Sequence, residues 1–288
     1  MIPAAHTRLQ TDIGMPQLAP GGLSETWLLK TCGHQHWRLL AEVLGLPTPD
    51  FRTATGSRLY AAFTAVRLQD GQLERAPEHA ILTLDSEIER VSRTQFRSQH
   101  TLSIDGSPRG TVEMLSVFVR RAQEGVNQSV ERAIPTGRPC PVPSPATGDA
   151  LAALAQDFRK GRWAQAHGLR REDGAVIAAH LIEPCPHTDF NGADFLYFAS
   201  FQAFLDRAEW AWFGQPTLLA RSHRRDIFFY GNIEVGESVR LTLKAATTGL
   251  GRLTHWVELT EPISGRRLAD ALSVRDGMAA SPCQVRAA

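Results

Sequence analysis

Residues 184–210 constrain this chain more than any other stretch. Pro184-Cys185-Pro186 resists helix, Asp189-Phe190-Asn191-Gly192 carries turn and N-cap chemistry, and residues 195–213 are then almost wholly apolar. A helix that is apolar on nearly every side must be enclosed by something else. The enclosure is available downstream, where residues 226–230, 238–244, 253–259 and 268–274 read as strands separated by glycine-containing turns. The expectation is a buried helix over residues 193–213, wrapped by a strongly curved antiparallel sheet.

The same plan occurs earlier in the chain. Gly14-Met15-Pro16-Gln17-Leu18-Ala19-Pro20-Gly21-Gly22-Leu23, running on to Trp27 and Leu28, aligns without a gap on the later stretch. The offset of 170 puts Pro16 on Pro186, Gly22 on Gly192 and Trp27 on Tyr197. A repeat this long signals duplicated domains rather than solenoid units. Ala19 and Gly21 stand where the second copy has Asp189 and Asn191, so only the second loop offers a carboxylate and a carboxamide. The fold expected is α+β, a double hot-dog: two tandem units, each a long buried helix wrapped by a curved antiparallel sheet.

With 288 residues and 43% hydrophobic composition, the chain has room for two such domains. Its 31 Lys and Arg balance 30 Asp and Glu to a formal charge of +1, which argues against a global field for nucleic acid or anionic membrane. Cys32, Cys140, Cys185 and Cys283 lack metal-ligand spacing, and no run is long enough to span a bilayer. A reducing cytoplasm and no metal are therefore expected. Cys185 lies near the key loop, as a nucleophile without an evident base or as an inert thiol.

Taken in order, residues 8–13 suit a first strand and residues 23–44 a helix that Gly33 would bend or interrupt. His34 and His36 cannot share one helical face, so they read as surface or core histidines rather than ligands. Residues 58–68, 80–91, 94–104 and 110–121 are strand candidates, the last two joined at Asp105-Gly106. Prolines 135, 139, 141, 143 and 145 crowd the segment that follows, and residues 150–161 suit a connecting helix. The boundaries expected are residues 1–125 for the first hot-dog, 126–174 for a linker with its helix, and 175–280 for the second.

Asp189-Phe190-Asn191-Gly192 followed by Leu196-Tyr197-Phe198 resembles the loop and helix start of the 4-hydroxybenzoyl-CoA thioesterase-like hot-dog enzymes. Tyr230-Gly231-Asn232-Ile233-Glu234-Val235-Gly236-Glu237 resembles their second-strand pattern. Over the whole chain, Gly14-Met15-Pro16, residues 21–30, Gly33-His34-Gln35-His36-Trp37 and Ser57-Arg58-Leu59-Tyr60 are similar to the leinamycin-pathway type of acyltransferase/decarboxylase. That resemblance implies a malonyl- or methylmalonyl-CoA substrate, an acyl carrier protein as partner and polyketide assembly as the setting. It also implies that Tyr60 carries the acyl group.

The residues bear several readings. Losing CO2 from a malonyl thioester leaves an enolate on the thioester oxygen, which backbone N–H groups at a helix start can stabilise without metal or organic cofactor. Gly22 and Gly192 would let a thioester approach such starts, or would simply relieve tight turns. Arg58 shares the strand face of Tyr60 and is a candidate substrate-binding neighbour, while attack by a phenol needs a nearby cation or base that the sequence does not identify. Tyr230, 170 residues after Tyr60, is its candidate counterpart. Asp189 is a general base toward water or a helix cap, and Asn191 orients a carbonyl or holds the loop. His187 and His100 are weaker candidates. Arg120, Arg121, Arg221, Arg224 and Arg225 form the candidate basic patch for an acidic carrier protein. The rival readings are an acyl-CoA or acyl-carrier thioesterase and a silent carrier-binding subunit. A homodimer is compatible with all three.

Overall fold

The computed structural model describes residues 5–138, 149–218 and 220–278. Prolines 139, 141, 143 and 145, with Cys140 and Cys283, lie outside the described residues. Eleven strands form one antiparallel sheet: β1 (Ala5–Asp12), β2 (Tyr60–Gln69), β3 (Ile81–Arg90), β4 (Gln95–Ile104), β5 (Ser107–Arg121), β6 (Val130–Arg132), β7 (Ala178–Ile182), β8 (Arg221–Phe229), β9 (Val239–Gly249), β10 (Arg252–Thr260) and β11 (Arg267–Asp276). Their order is β1-β3-β4-β5-β2-β8-β11-β10-β9-β7, with the short β6 beside β5. The first half of the chain thus repeats its strand order, reversed, in the second half. The two halves meet edge to edge where β2 pairs antiparallel with β8.

Two long helices lie on one face of this sheet. In α1 (Glu25–Val43) the Ser24 Oγ accepts from the Trp27 N–H at 3.2 Å, so one of the exposed first-turn donors is capped. Leu28, Leu29, Cys32, Leu39, Leu40 and Val43 are buried along it. Gly33 does not break this helix. A Cβ built there would lie 2.8 Å from the Phe198 ring, so the missing side chain is what lets the two helices approach.

The second long helix, α4 (Phe198–Phe213), begins five residues later than the apolar run predicts. The intervening loop closes on itself instead of capping a helix. Asn191 Oδ1 accepts from the N–H groups of Ala193 and Phe195 at 2.9 and 3.2 Å, Phe190 bridges Leu196, and Asp194 takes φ 59°. Before it, Pro186 occupies the first position of a single helical turn, α3 (Pro186–Asp189). Gly214, at φ 64°, ends α4.

The linker is not a bare connector. Its helix α2 (Ala150–Arg159) covers the opposite face of the sheet at the seam, where Leu151, Ala155, Phe158 and Trp163 pack on Ala65, Leu115, Phe228 and Trp256. Arg67 of β2 faces Asp226 of β8 across the seam with bonds of 2.8 and 3.2 Å. Burial opposes the charge on Asp226, but hydrogen bonds from His167 and Arg67 hold its carboxyl down to about 2. Among the described residues no helix is long and apolar enough to cross a membrane.

Candidate active site at the junction of the two halves

A cavity of about 550 Å3 opens where the loop before α4 meets the start of β2 and the end of β8. Trp37, Phe63, Phe195, Phe198, Phe201 and Phe229 make its apolar wall, and Tyr60, Asn191, Tyr197, Tyr230 and Asn232 are among its polar lining. Both size and mixture suit a small-molecule site.

The loop of residues 190–196 is held from three directions. Asn232 accepts from the Leu196 N–H at 2.9 Å and donates to its carbonyl at 3.0 Å. Asn127 Nδ2 donates to the carbonyls of Asp194 at 2.6 Å and Ile233 at 2.8 Å. Arg121 donates to Asn127 Oδ1 and to the Ala193 carbonyl. A site assembled on so many fixed partners loses little order when a ligand binds.

Tyr60, the first residue of β2, lines the cavity as the resemblance implies, and its hydroxyl makes no hydrogen bond among the described residues. Its ring meets Phe195 edge-on at 5.2 Å, and the Arg121 guanidinium lies 5.6 Å from its centroid. The cation beside Tyr60 is therefore Arg121. Arg58 is exposed, lies outside β2 in an isolated bridge with Arg52, and is not on the cavity wall. The other two tyrosines are less available. Burial pushes the Tyr197 phenol up to about 12. Burial, then the negative Asp270 that accepts the Tyr230 hydroxyl at 2.7 Å, pushes Tyr230 up further.

Tyr230 is not the counterpart of Tyr60. The N-caps Ser24 and Tyr197 are 173 residues apart, but the starts of β3 and β9, Ile81 and Val239, are 158 apart. The offset of 170 describes the pre-helix turns alone, and both tyrosines line one cavity.

Asn191 and Gly192 line the cavity, with Asn191 Oδ1 committed to the loop and open space around Gly192. Asp189 does not. Its buried Oδ2 accepts from the Cys185 N–H at 2.8 Å, while its carbonyl accepts from Tyr197 N–H and Ser200 Oγ, so it clamps the turn onto α4. Gly22 is also away from the cavity. At φ 116°, with Leu73 O 2.2 Å from where a Cβ would stand, it is glycine because two backbones touch.

The helix-start chemistry sits elsewhere than at the glycines. The N–H groups of Phe198 and Ala199, the first two residues of α4, have no acceptor among the described residues, and Tyr197 supplies no side-chain cap. Phe198 is itself on the cavity wall. These donors, with the helix's partial positive charge behind them, suit a developing oxyanion.

Of the remaining candidates, His100 and His36 are fully buried in one hydrogen-bonded chain that runs Ser86, His100, Ser98, His36, Ser116 at 2.6 to 2.8 Å per step. Burial pushes His100 down to about 3 and His36 down as well. His187 and the exposed Cys185 are off the cavity. The proposed basic patch does not assemble. Arg225 is buried, Arg221 pairs with Asp276 and Arg120 with Glu131. Among the described residues no group of three His, Cys, Asp or Glu could hold a metal.

No protein-family model and no curated protein matches the chain. Solved structures do. A protein assigned as an oleoyl thioesterase from Lactobacillus plantarum is 10% identical over 98% of each chain, with a TM-score of 0.64. The 12:0-ACP thioesterase from Umbellularia californica is 8% identical, covers 94% of this chain and 93% of its own, and gives 0.61. An acyl-ACP thioesterase from Bacteroides thetaiotaomicron is 9% identical over 94% of this chain and 98% of its own, at 0.60. The chain therefore has the hot-dog fold that these proteins share.

Proposed function

We propose that this protein is a double hot-dog enzyme that takes a malonyl- or methylmalonyl-type group from coenzyme A, decarboxylates it and delivers the product to an acyl carrier protein, at the cavity between the halves. The observation that carries this reading is the chemical make-up of the lining. It brings Phe198, at the unbonded start of α4, together with a free phenol, and the one carboxylate among its described lining residues, Glu131, is ion-paired to Arg120. Loss of CO2 needs no base: the carboxylate's electrons pass to the thioester oxygen as an enolate, which the Phe198 and Ala199 N–H groups stabilise before a proton returns to carbon. Transfer begins when the Tyr60 oxygen attacks the thioester carbonyl, releasing the coenzyme thiol. The carrier's thiol later displaces the phenol. Arg121 supplies the positive charge nearest that phenol.

Thioester hydrolysis is the second reading, favoured by the names of the similar solved structures. It requires a base for water, and Asp189 is turned to Cys185. Incubation with malonyl- and methylmalonyl-CoA, with and without carrier protein, separates the two by product mass. The expected result is acetyl- or propionyl-carrier, lost in Tyr60→Phe while enolate chemistry persists. Free acid in equal yield with and without carrier, unchanged in Tyr60→Phe, would establish hydrolysis instead.

A further inference from the structure

The segment between the two halves reaches the cavity with two cations. Arg132 ends β6 and Arg159 ends α2, and both line the cavity. Arg159 Nη2 donates to the Phe229 carbonyl at 2.8 Å, and its guanidinium lies 5.3 Å from the Tyr230 ring centroid. Neither arginine has a carboxylate within ion-pair distance among the described residues, and the undescribed residues contain no Asp or Glu. Three guanidinium groups with little exposure are matched with carboxylates, Arg67 with Asp226, Arg225 with Glu25 and Glu209, and Arg275 with Glu209, whereas Arg132 and Arg159 are exposed on the cavity side. Partial burial, and after it the nearby charge of Arg132, pulls Arg159 below its usual range.

Two guanidinium groups that line one cavity, neither with an ion-pair partner among the described residues, suit an anion from the ligand. We propose that Arg132 and Arg159 bind the phosphate end of a phosphopantetheine arm, so that the cavity selects thioesters carried on that arm. This inference rests on the acyl-thioester reading above. A carboxylate held between two arginines would be stabilised in its ground state and would resist leaving as CO2, which assigns the pair to the other end of the substrate. Arg132 is exposed, so the anion it holds stays in reach of solvent, as a phosphate at a cavity mouth does. The same phosphate occurs in free coenzyme A and on a loaded carrier protein, and one site would serve both donor and acceptor.

Calorimetric titration of the intact protein with pantetheine, 4′-phosphopantetheine and coenzyme A tests this without requiring turnover. The phosphorylated forms are expected to bind at least about tenfold more tightly than pantetheine, with the margin shrinking as salt rises. Arg132→Gln and Arg159→Gln together should erase the margin. Arg132→Glu, a change at an exposed position, should erase it even if Arg159 variants fold poorly. Phosphopantetheinylated carrier protein, compared with its unmodified form, reads the second source of the phosphate. Equal affinity of the wild-type protein for pantetheine and phosphopantetheine would overturn the proposal, as would an unchanged margin in Arg132→Glu. If the variants instead discriminate malonyl- from acetyl-pantetheine less well, the arginines hold the acyl carboxylate and the phosphate assignment is wrong. A phosphate preference that disappears in the variants, alongside no consumption of any thioester, would leave the anion site standing and remove the proposed function.

Discussion

The two helix starts share a backbone plan and differ in chemistry. Phe198 is the first residue of α4 and Glu25 the first of α1. Each meets a residue of the other half that sits just before a β-bulge: the Phe63 ring packs at a tilt against Phe198 with centroids 4.4 Å apart, and Ser222 donates to Glu25 at 2.9 Å. Twelve residues after each N-cap stand His36 and Glu209, both buried. Around α4's start the partners are aromatic, and a cavity remains. Around α1's start the equivalent space is filled by an ion network in which Arg225 binds Glu25, Asp206 and Glu209, and Arg275 and His255 bind Glu209. Burial alone would raise the Glu209 carboxyl, but Arg275 and Arg225 hold it well below the usual carboxylate range. One copy of a duplicated plan is thus open for a ligand, while the other has been converted into buried electrostatics that fasten α1 to α4 and β8.

The most damaging way to probe the filled copy is to remove its central cation. Arg225→Met removes the shared partner of two buried carboxylates, Glu25 and Glu209, and a loss of about 3–5 kcal/mol is expected in urea unfolding. An unchanged midpoint would mean that the network is solvated and the contrast with the cavity unreal.

The difference between His36 and Glu209 predicts a difference in pH response. His100 is held at about 3 and His36 is lowered too, so both are neutral when folded, whereas the unfolded chain protonates them below about 6.5. The unfolded state then binds more protons, and stability should fall as pH drops from about 6.5 toward 3, by about 1.4 kcal/mol per unit for His100 alone. Denaturant midpoints measured from pH 7 to pH 4.5 check this, and the joint variant His36→Gln, His100→Gln should flatten the profile. A steep profile in that variant would assign the loss to other groups.

A smaller effect is expected where the halves touch. Gly33→Ala puts a methyl group against the Phe198 ring, and overpacking of this kind costs about 1–3 kcal/mol. Because Phe198 carries one of the free amides, thioester turnover should fall further than stability does. Proportionate losses would argue that the start of α4 is not where the chemistry occurs.

Much of the fold was legible in the chain. Period-two alternation in residues 81–90 and 95–104, and the apolar residues of both helices, fixed the elements to within a few positions. Asn191 and Gly192 line the cavity from the pre-helix turn that the two copies share, and Tyr60 lines it at the position that the family resemblance singles out. Asp189 bears two readings in the sequence because an aspartate before a helix can serve either a substrate or its own backbone, and here its carboxylate accepts from the Cys185 N–H. In the sequence Arg225 reads as part of a basic patch and Asp226 as the start of a strand. Adjacent residues on a strand face opposite sides, and each found its counter-charges from distant segments, which no local pattern reveals. Asn127, Arg132 and Arg159 were missed for a related reason. They belong to a segment rich in proline whose only periodic element is α2, and β6 is three residues long, too short to display alternation.

A crystal structure with a carba analogue of malonyl-CoA, in which CH2 replaces the thioester sulfur, addresses the central claim most directly. The account predicts the analogue's carbonyl oxygen within hydrogen-bond distance of the Phe198 and Ala199 N–H groups, with Tyr60 beside the carbonyl carbon. An analogue seated at the start of α1, or bound with its carbonyl facing Asp189, would contradict it.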